Sequence, residues 1–196
     1  MKKAIVVLLV ASLSLAMLAF LGGCGGDANK DEAKDLMTAG DIFMDSYTLQ
    51  KTELNDLQTD LATTAMGGDI SALGGDAGAA MQEQVQGLID GMESDLESAR
   101  AEYEAILALD GVQDYKDYAS KMLEAIDAYA EELGYINTLV GKLTQALAAM
   151  AQGQDIDIIT MMMESEELQK IDELGKLGDE LVEEADQIKL DKKLEG

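Results

Sequence analysis

Few residues in this chain could do chemistry, and one stands apart. Cys24 is the single cysteine and lies between two Gly-Gly pairs, in "AFLGGCGGDANK" at 19–30. The 196 residues contain no histidine, which excludes Ser-His and Cys-His nucleophile pairs and the Glu-x-x-His pattern of di-iron bundles. Acidic pairs abound, as in "MESDLE" and "EEADQ", but on helices such pairs form solvated faces and none is distinguished from the rest. There is no D-x-D-x-D-G loop for calcium. The adjacent methionines of "TMMMES" at 160–165 diverge around a helix and suit core packing better than copper(I) binding. The glycines of 67–79 lack the strand, lysine and Ser/Thr that a phosphate loop requires. No catalytic residue, cofactor or metal ligand is expected, and attention falls on Cys24.

Three zones lead up to it: "MKK", the 18-residue apolar run "AIVVLLVASLSLAMLAFL", and "GGC". A cationic start, an apolar stretch and small residues before a cut are the layout of an export signal. Leu21-Gly22-Gly23-Cys24 resembles the lipobox of prokaryotic lipoproteins, with Leu21 as the apolar residue and Gly22 and Gly23 as the small ones. The resemblance implies a diacylglycerol thioether on Cys24 and cleavage between Gly23 and Cys24. It covers the first two dozen residues and names an export route, not a domain family. Two other readings compete. The apolar run makes a helix of about 27 Å, long enough to stay as an uncleaved anchor. A buried structural cysteine is the other, though its glycine neighbours offer it nothing to pack against.

Composition narrows the partners. The net charge is −25, and from Cys24 onward it is −27. A body this acidic repels phosphates, so nucleic acid is excluded as a partner. Arg100 is the single arginine, which argues against bidentate clamping of carboxylate or phosphate ligands.

The elements that follow are helical. Proline is absent and strand-like alternation is not seen. The first stretch, about 31–66, carries a seam at Leu36, Gly40, Phe43, Tyr47, Gln50, Leu54, Leu57 and Leu61, flanked early by Met37, Ala39 and Met44. "GGDISALGGDAGA" at 67–79 breaks it. The second, about 80–109, has Met81, Val85, Leu88, Met92, Leu96, Ala99, Tyr103 and Ile106, with a stutter of four-residue steps from Leu88 to Leu96. "LDG" at 109–111 reverses the chain, and Asp110 with Gln113 fits a capping box.

The third stretch is the strongest. From Val112 through Tyr115, Ala119, Met122, Ile126, Tyr129, Leu133, Ile136, Val140, Leu143 and Leu147 to Met150, apolar positions alternate 3 and 4 apart. Tyr118, Leu123, Ala125, Ala130, Leu139 and Ala146 widen that seam, which favours a bundle over a two-stranded rod. Gly134 and Gly141 offer room for close helix approach. The fourth stretch runs to about Lys193 through Leu168, Ile171, Leu174, Gly178, Leu181, Ala185 and Ile188, with Asp155, Asp157 or Ser165 as its cap. Lys189, Lys192 and Lys193 suit its C-terminus.

The expected fold is all-α: long antiparallel helices in a three- to four-helix up-down bundle after an N-terminal signal helix. The organisation is 1–23 signal peptide, 24–30 flexible tether and 31–196 acidic helical bundle. The expected role is a non-catalytic helical interaction or scaffold module, exported, facing outside the cytoplasm, and anchored to the membrane by lipid on Cys24. An envelope protein is its expected partner, and self-association stays open. The alternative is a lipoprotein holding a small apolar or cationic ligand between helices, lined by residues such as Tyr115 or Met122, with the tyrosines otherwise read as core.

Overall fold

The computed structural model describes residues 27–66, 75–151, 165–194 and four positions between 152 and 164. Residues 1–23, where the signal helix is predicted, the Leu21–Cys24 motif, and Asp155 and Asp157 lie outside the described residues. Four long helices are described: α1 Asp27–Met66, α2 Gly75–Ala108, α3 Gln113–Ala151 and α4 Glu166–Lys192. They form an all-α bundle, as the periodicity predicts. Cross-helix partners fix the directions. Tyr103 of α2 meets Asp41 of α1, Lys116 of α3 meets Leu107 of α2, and Lys142 of α3 meets Glu167 of α4. Each successive helix is therefore antiparallel to the one before, and α1 runs parallel to α3, where Tyr47 meets Glu132. The backbones of α1–α2, α2–α3 and α3–α4 pack closely, whereas α1 and α4 stand further apart and are joined by side chains.

The broad face predicted for α3 is real. Val112, Ala119, Met122, Ile126, Tyr129, Leu133 and Ile136 are buried, and so are the flanking Tyr118, Ala125, Leu139 and Ala146. Ala130 is exposed, so the widening is one-sided there. In α2 the stutter positions Leu88, Met92 and Leu96 are all buried, joined by Ile89. In α1 the buried face is partly rotated from the one predicted. Gly40, Tyr47 and Leu54 of the predicted seam are buried, but so are Met37 and Met44, while Leu36 and Phe43 are half-buried, because side chains of α1 meet both α2 and α3.

Several local expectations need correction. Helix α1 begins at Asp27, so residues 27–30 of the tether are helical, and α2 begins at Gly75 instead of near Ala80. The Asp110–Gln113 capping box does not form. Gln113 Nε2 donates forward to Asp117 at 2.7 Å, and the carbonyl of Val112 accepts the first helical bond from Lys116 at 3.0 Å. Gly111, at φ +77°, makes the reversal in a backbone region that side chains disfavour. Ser165 stands at the N-cap of α4, but its hydroxyl donates to Glu167 Oε2 at 2.6 Å instead of capping the backbone. Gly134 and Gly141 face open space. Close approach occurs elsewhere, at Gly40, where a Cβ would meet the Tyr103 ring at 2.7 Å, and at Gly178, where it would overlap the Tyr129 ring.

Helix α4 ends in a left-handed residue, Lys193 at φ 54°, whose N–H bonds back to Leu190 O while Leu194 N–H reaches Lys189 O. Leu194 is buried, so this is a Schellman-type end with its hydrophobic plug. A side chain in that region costs about 1–2 kcal/mol. Lys193→Gly is therefore expected to raise the unfolding free energy by about 1 kcal/mol, read from the urea midpoint.

Candidate functional site

Cys24 and Gly23, the residues predicted to matter most, lie outside the described residues. Within the bundle, the concentration of chemistry is one that the sequence reading did not single out. It is a pair of lysine–tyrosine–carboxylate layers lying along the wide α1–α4 side.

In the first layer, the carboxylate of Asp41 (α1) accepts hydrogen bonds from three helices. Its Oδ1 takes the phenols of Tyr103 (α2) at 2.8 Å and Tyr118 (α3) at 2.6 Å, and its Oδ2 takes Lys189 Nζ (α4) at 2.7 Å. The tyrosine rings pack edge to face at 6.0 Å, and Lys189 Nζ lies 5.7 Å from the Tyr118 centroid. One side chain thus ties all four helices together. Gly40, next to Asp41, makes the room that the Tyr103 ring occupies.

Ten residues on along α1, Lys51 heads the second layer. Its Nζ donates to Glu132 Oε2 (α3) at 2.9 Å and lies 4.7 Å from the Tyr129 centroid and 5.9 Å from that of Tyr47. The Tyr47 phenol also donates to Glu132 Oε2, at 3.4 Å, while the Tyr129 phenol donates to Asp179 Oδ1 of α4 at 2.7 Å. The two rings are tilted with centroids 4.9 Å apart. Glu132 is 3 % exposed, and Gly175 and Gly178 of α4 leave space for it and for Tyr129.

Burial sets the electrostatics. It is the main cause holding the phenols of Tyr47, Tyr103, Tyr118 and Tyr129 far above the usual tyrosine range, so all four stay protonated donors. Burial also pushes the Glu132 carboxyl up, opposed by Lys51, and does the same to Asp95 and Glu102. At the surface, Glu167 is pulled down to about 2 by its bonds from Lys142 and Ser165. A carboxyl whose folded pKa is raised binds its proton more tightly in the native state. The stability tied to it is greatest below the unfolded pKa and is lost as pH rises through the folded value. Glu167 acts oppositely, contributing above its unfolded pKa and losing that contribution towards pH 2. Three raised carboxyls and a net charge of −25 act together in mild acid. The thermal midpoint is therefore expected to be higher at pH 5 than at pH 8, measured by circular dichroism.

These layers bind and orient, and they leave no buried side-chain N or O without a partner among the described residues. Among the same residues, no group of three or more acidic or cysteine side chains is placed to hold a metal ion. Tyr103, Tyr118 and Tyr129 are core, Tyr115 and Tyr135 are half-buried, and Met122 is buried. Met161 is half-buried, while Met162 and Met163 lie outside the described residues. Asp41, Lys51 and Glu132 escaped the sequence reading because each looks like an ordinary charged flank. Their one sequence signal is position, Asp41 directly after seam residue Gly40 and Glu132 directly before seam residue Leu133.

No described helix is long and apolar enough to cross a membrane. Comparisons with protein-family models, curated proteins and solved structures give no match. The fold and its polar layers thus define the class, an all-α bundle whose helices are clasped by half-buried ion pairs.

Proposed function

We propose that this protein is a prokaryotic-type lipoprotein: exported, anchored to a membrane through a diacylglycerol on Cys24, and acting outside the cytoplasm as a non-catalytic helical interaction or scaffold module. The observation that carries the reading is Leu21-Gly22-Gly23-Cys24, placed at the end of an apolar run and three residues before α1. Two acyl chains, at about 0.8 kcal/mol per buried methylene, give effectively permanent attachment. The bundle supports the rest. Its helices are clasped from within by Asp41 and by the Lys51–Glu132 pair, which leaves long acidic outer faces for contact. The ligand-holding alternative is less favoured, because Met122 is buried in the core cluster and the tyrosine faces of the two layers already carry Lys51 and Lys189.

In-cell crosslinking followed by mass spectrometry tests the role. A reproducible envelope partner, linked through outward lysines such as Lys170 or Lys176, is expected. Links scattered over unrelated abundant envelope proteins would count against it.

A further inference from the structure

We infer that the bundle stands end-on to the membrane, with the α2–α3 turn at 107–111 and the first turn of α1 resting on the lipid interface. This deepens the lipid-anchor reading and rests on it.

Chain length is the first argument. Helix α1 begins at Asp27, three residues after Cys24, so its start lies within about 11 Å of the acylated residue even at full extension. The bundle end beside Asp27 must therefore sit at the bilayer surface. That end is identified by a direct contact, the Asn29 side-chain amide donating to the Asp110 carbonyl at 2.9 Å. The antiparallel order puts the end of α1 and the start of α2, with the end of α3 and the start of α4, at the opposite end, about 60 Å away along α1.

Surface chemistry is the second argument. The turn presents Leu107 (37 % exposed), exposed Ala108 and Gly111, and half-buried Leu109. Its nearby charges are Lys30, Asp31, Asp110 and Lys116, whose Nζ donates to Leu107 O at 2.8 Å, with Asp114 paired to Lys192 at 2.9 Å. An apolar lip whose neighbouring basic and acidic side chains balance suits the headgroup boundary. The long sides do not, since the body carries −27 and anionic lipid repels it over a Debye length of about 8 Å. Lying flat would press many carboxylates onto the surface, whereas standing on this end presents few.

The test uses the full chain, purified from membranes and reconstituted into phosphatidylcholine–phosphatidylglycerol vesicles containing a headgroup-level quencher lipid. With Cys24 acylated, Ala108→Cys and Glu83→Cys each offer one free thiol for a fluorophore. The two sites are about 38 Å apart along α2, so quenching is expected to be at least about fivefold stronger at 108 than at 83. Equal quenching at both sites, with the lipid on Cys24 verified by intact mass, overturns the orientation and leaves the anchor standing. Absence of the lipid removes both readings.

Discussion

Asp41→Ala is expected to lower the unfolding free energy by about 3–4 kcal/mol, and the thermal midpoint by roughly 10 °C. Asp41 is the one acceptor shared by Tyr103, Tyr118 and Lys189, which come from the three other helices. Removing it strands two phenols inside the core, each at a cost of about 1–3 kcal/mol, partly offset where water enters beside Lys189, which is 16 % exposed. The controls separate the network from simple truncation. Asp41→Asn keeps Oδ1 for the phenols but places an amide NH2 where Oδ2 accepted from Lys189, so it loses the ion pair and should cost about half as much as Asp41→Ala. Tyr103→Phe and Tyr118→Phe should each cost about 1 kcal/mol, because each removes one hydrogen bond and leaves Asp41 its other partners. Urea denaturation of the four variants checks the order. Asp41→Ala matching either tyrosine variant would contradict the shared-acceptor account.

Lys51→Met is the second large effect, expected at about 2–3 kcal/mol near neutral pH. Breaking a buried pair by removing one partner commonly costs about 3–5 kcal/mol, and the lower figure allows for solvent reaching Lys51, which is 22 % exposed. Glu132 would keep one weak bond, from Tyr47 at 3.4 Å, and would lose its cation. The pH dependence identifies the cause. Burial already raises the Glu132 pKa, and loss of Lys51 raises it further, since the ion pair is what opposes the burial. The folded state of the variant then takes up the proton at higher pH than the unfolded chain. Its deficit should shrink as pH falls towards the usual glutamate range and be largest above the raised folded value. Lys51→Met with Glu132→Leu removes both charges and should recover most of the loss. A deficit that stays constant from pH 5 to pH 8 would place the effect in lost packing of the lysine stem over the Tyr129 ring.

The contrast between α3 and the two layers shows what a single sequence can carry. The α3 seam was legible because helical burial is periodic. Twelve positions alternating 3 and 4 apart can face one core only as a helix, and the flanking apolar residues announced more than one neighbour. The partly rotated face of α1 was less legible, since Leu36 and Met37 are both apolar and adjacency to two helices decides between them. The polar layers were not legible at all. Asp41 and Lys189 are 148 residues apart, and Lys51 and Glu132 are 81 apart, so no local pattern joins them. In a chain with 39 acidic residues, buried Glu132 and half-buried Asp41 look like the rest until a fold brings a lysine to each. Helix ends suffered likewise. Ser165 occupies the cap position, but its hydroxyl is turned to donate to Glu167, which Lys142 also holds, and its oxygen accepts no backbone N–H.

The half-buried ion pairs bear on the proposed role through permanence. A module that presents its outer faces to a partner needs a rigid interior, and Asp41 fixes the relative rotation of all four helices at one level. The proposed anchor and the clasp thus divide the work, the first to set where the bundle sits and the second to hold its shape.

The central claim is the lipid on Cys24, and the N-terminal mass of the full-length product purified from bacterial membranes tests it most directly. The account predicts a chain that begins at Cys24 and carries diacylglycerol, entering the detergent phase on cloud-point separation. It also predicts that Cys24→Ser leaves residues 1–23 in place and adds no lipid. A wild-type chain that retains residues 1–23 with a free thiol at Cys24 would contradict it.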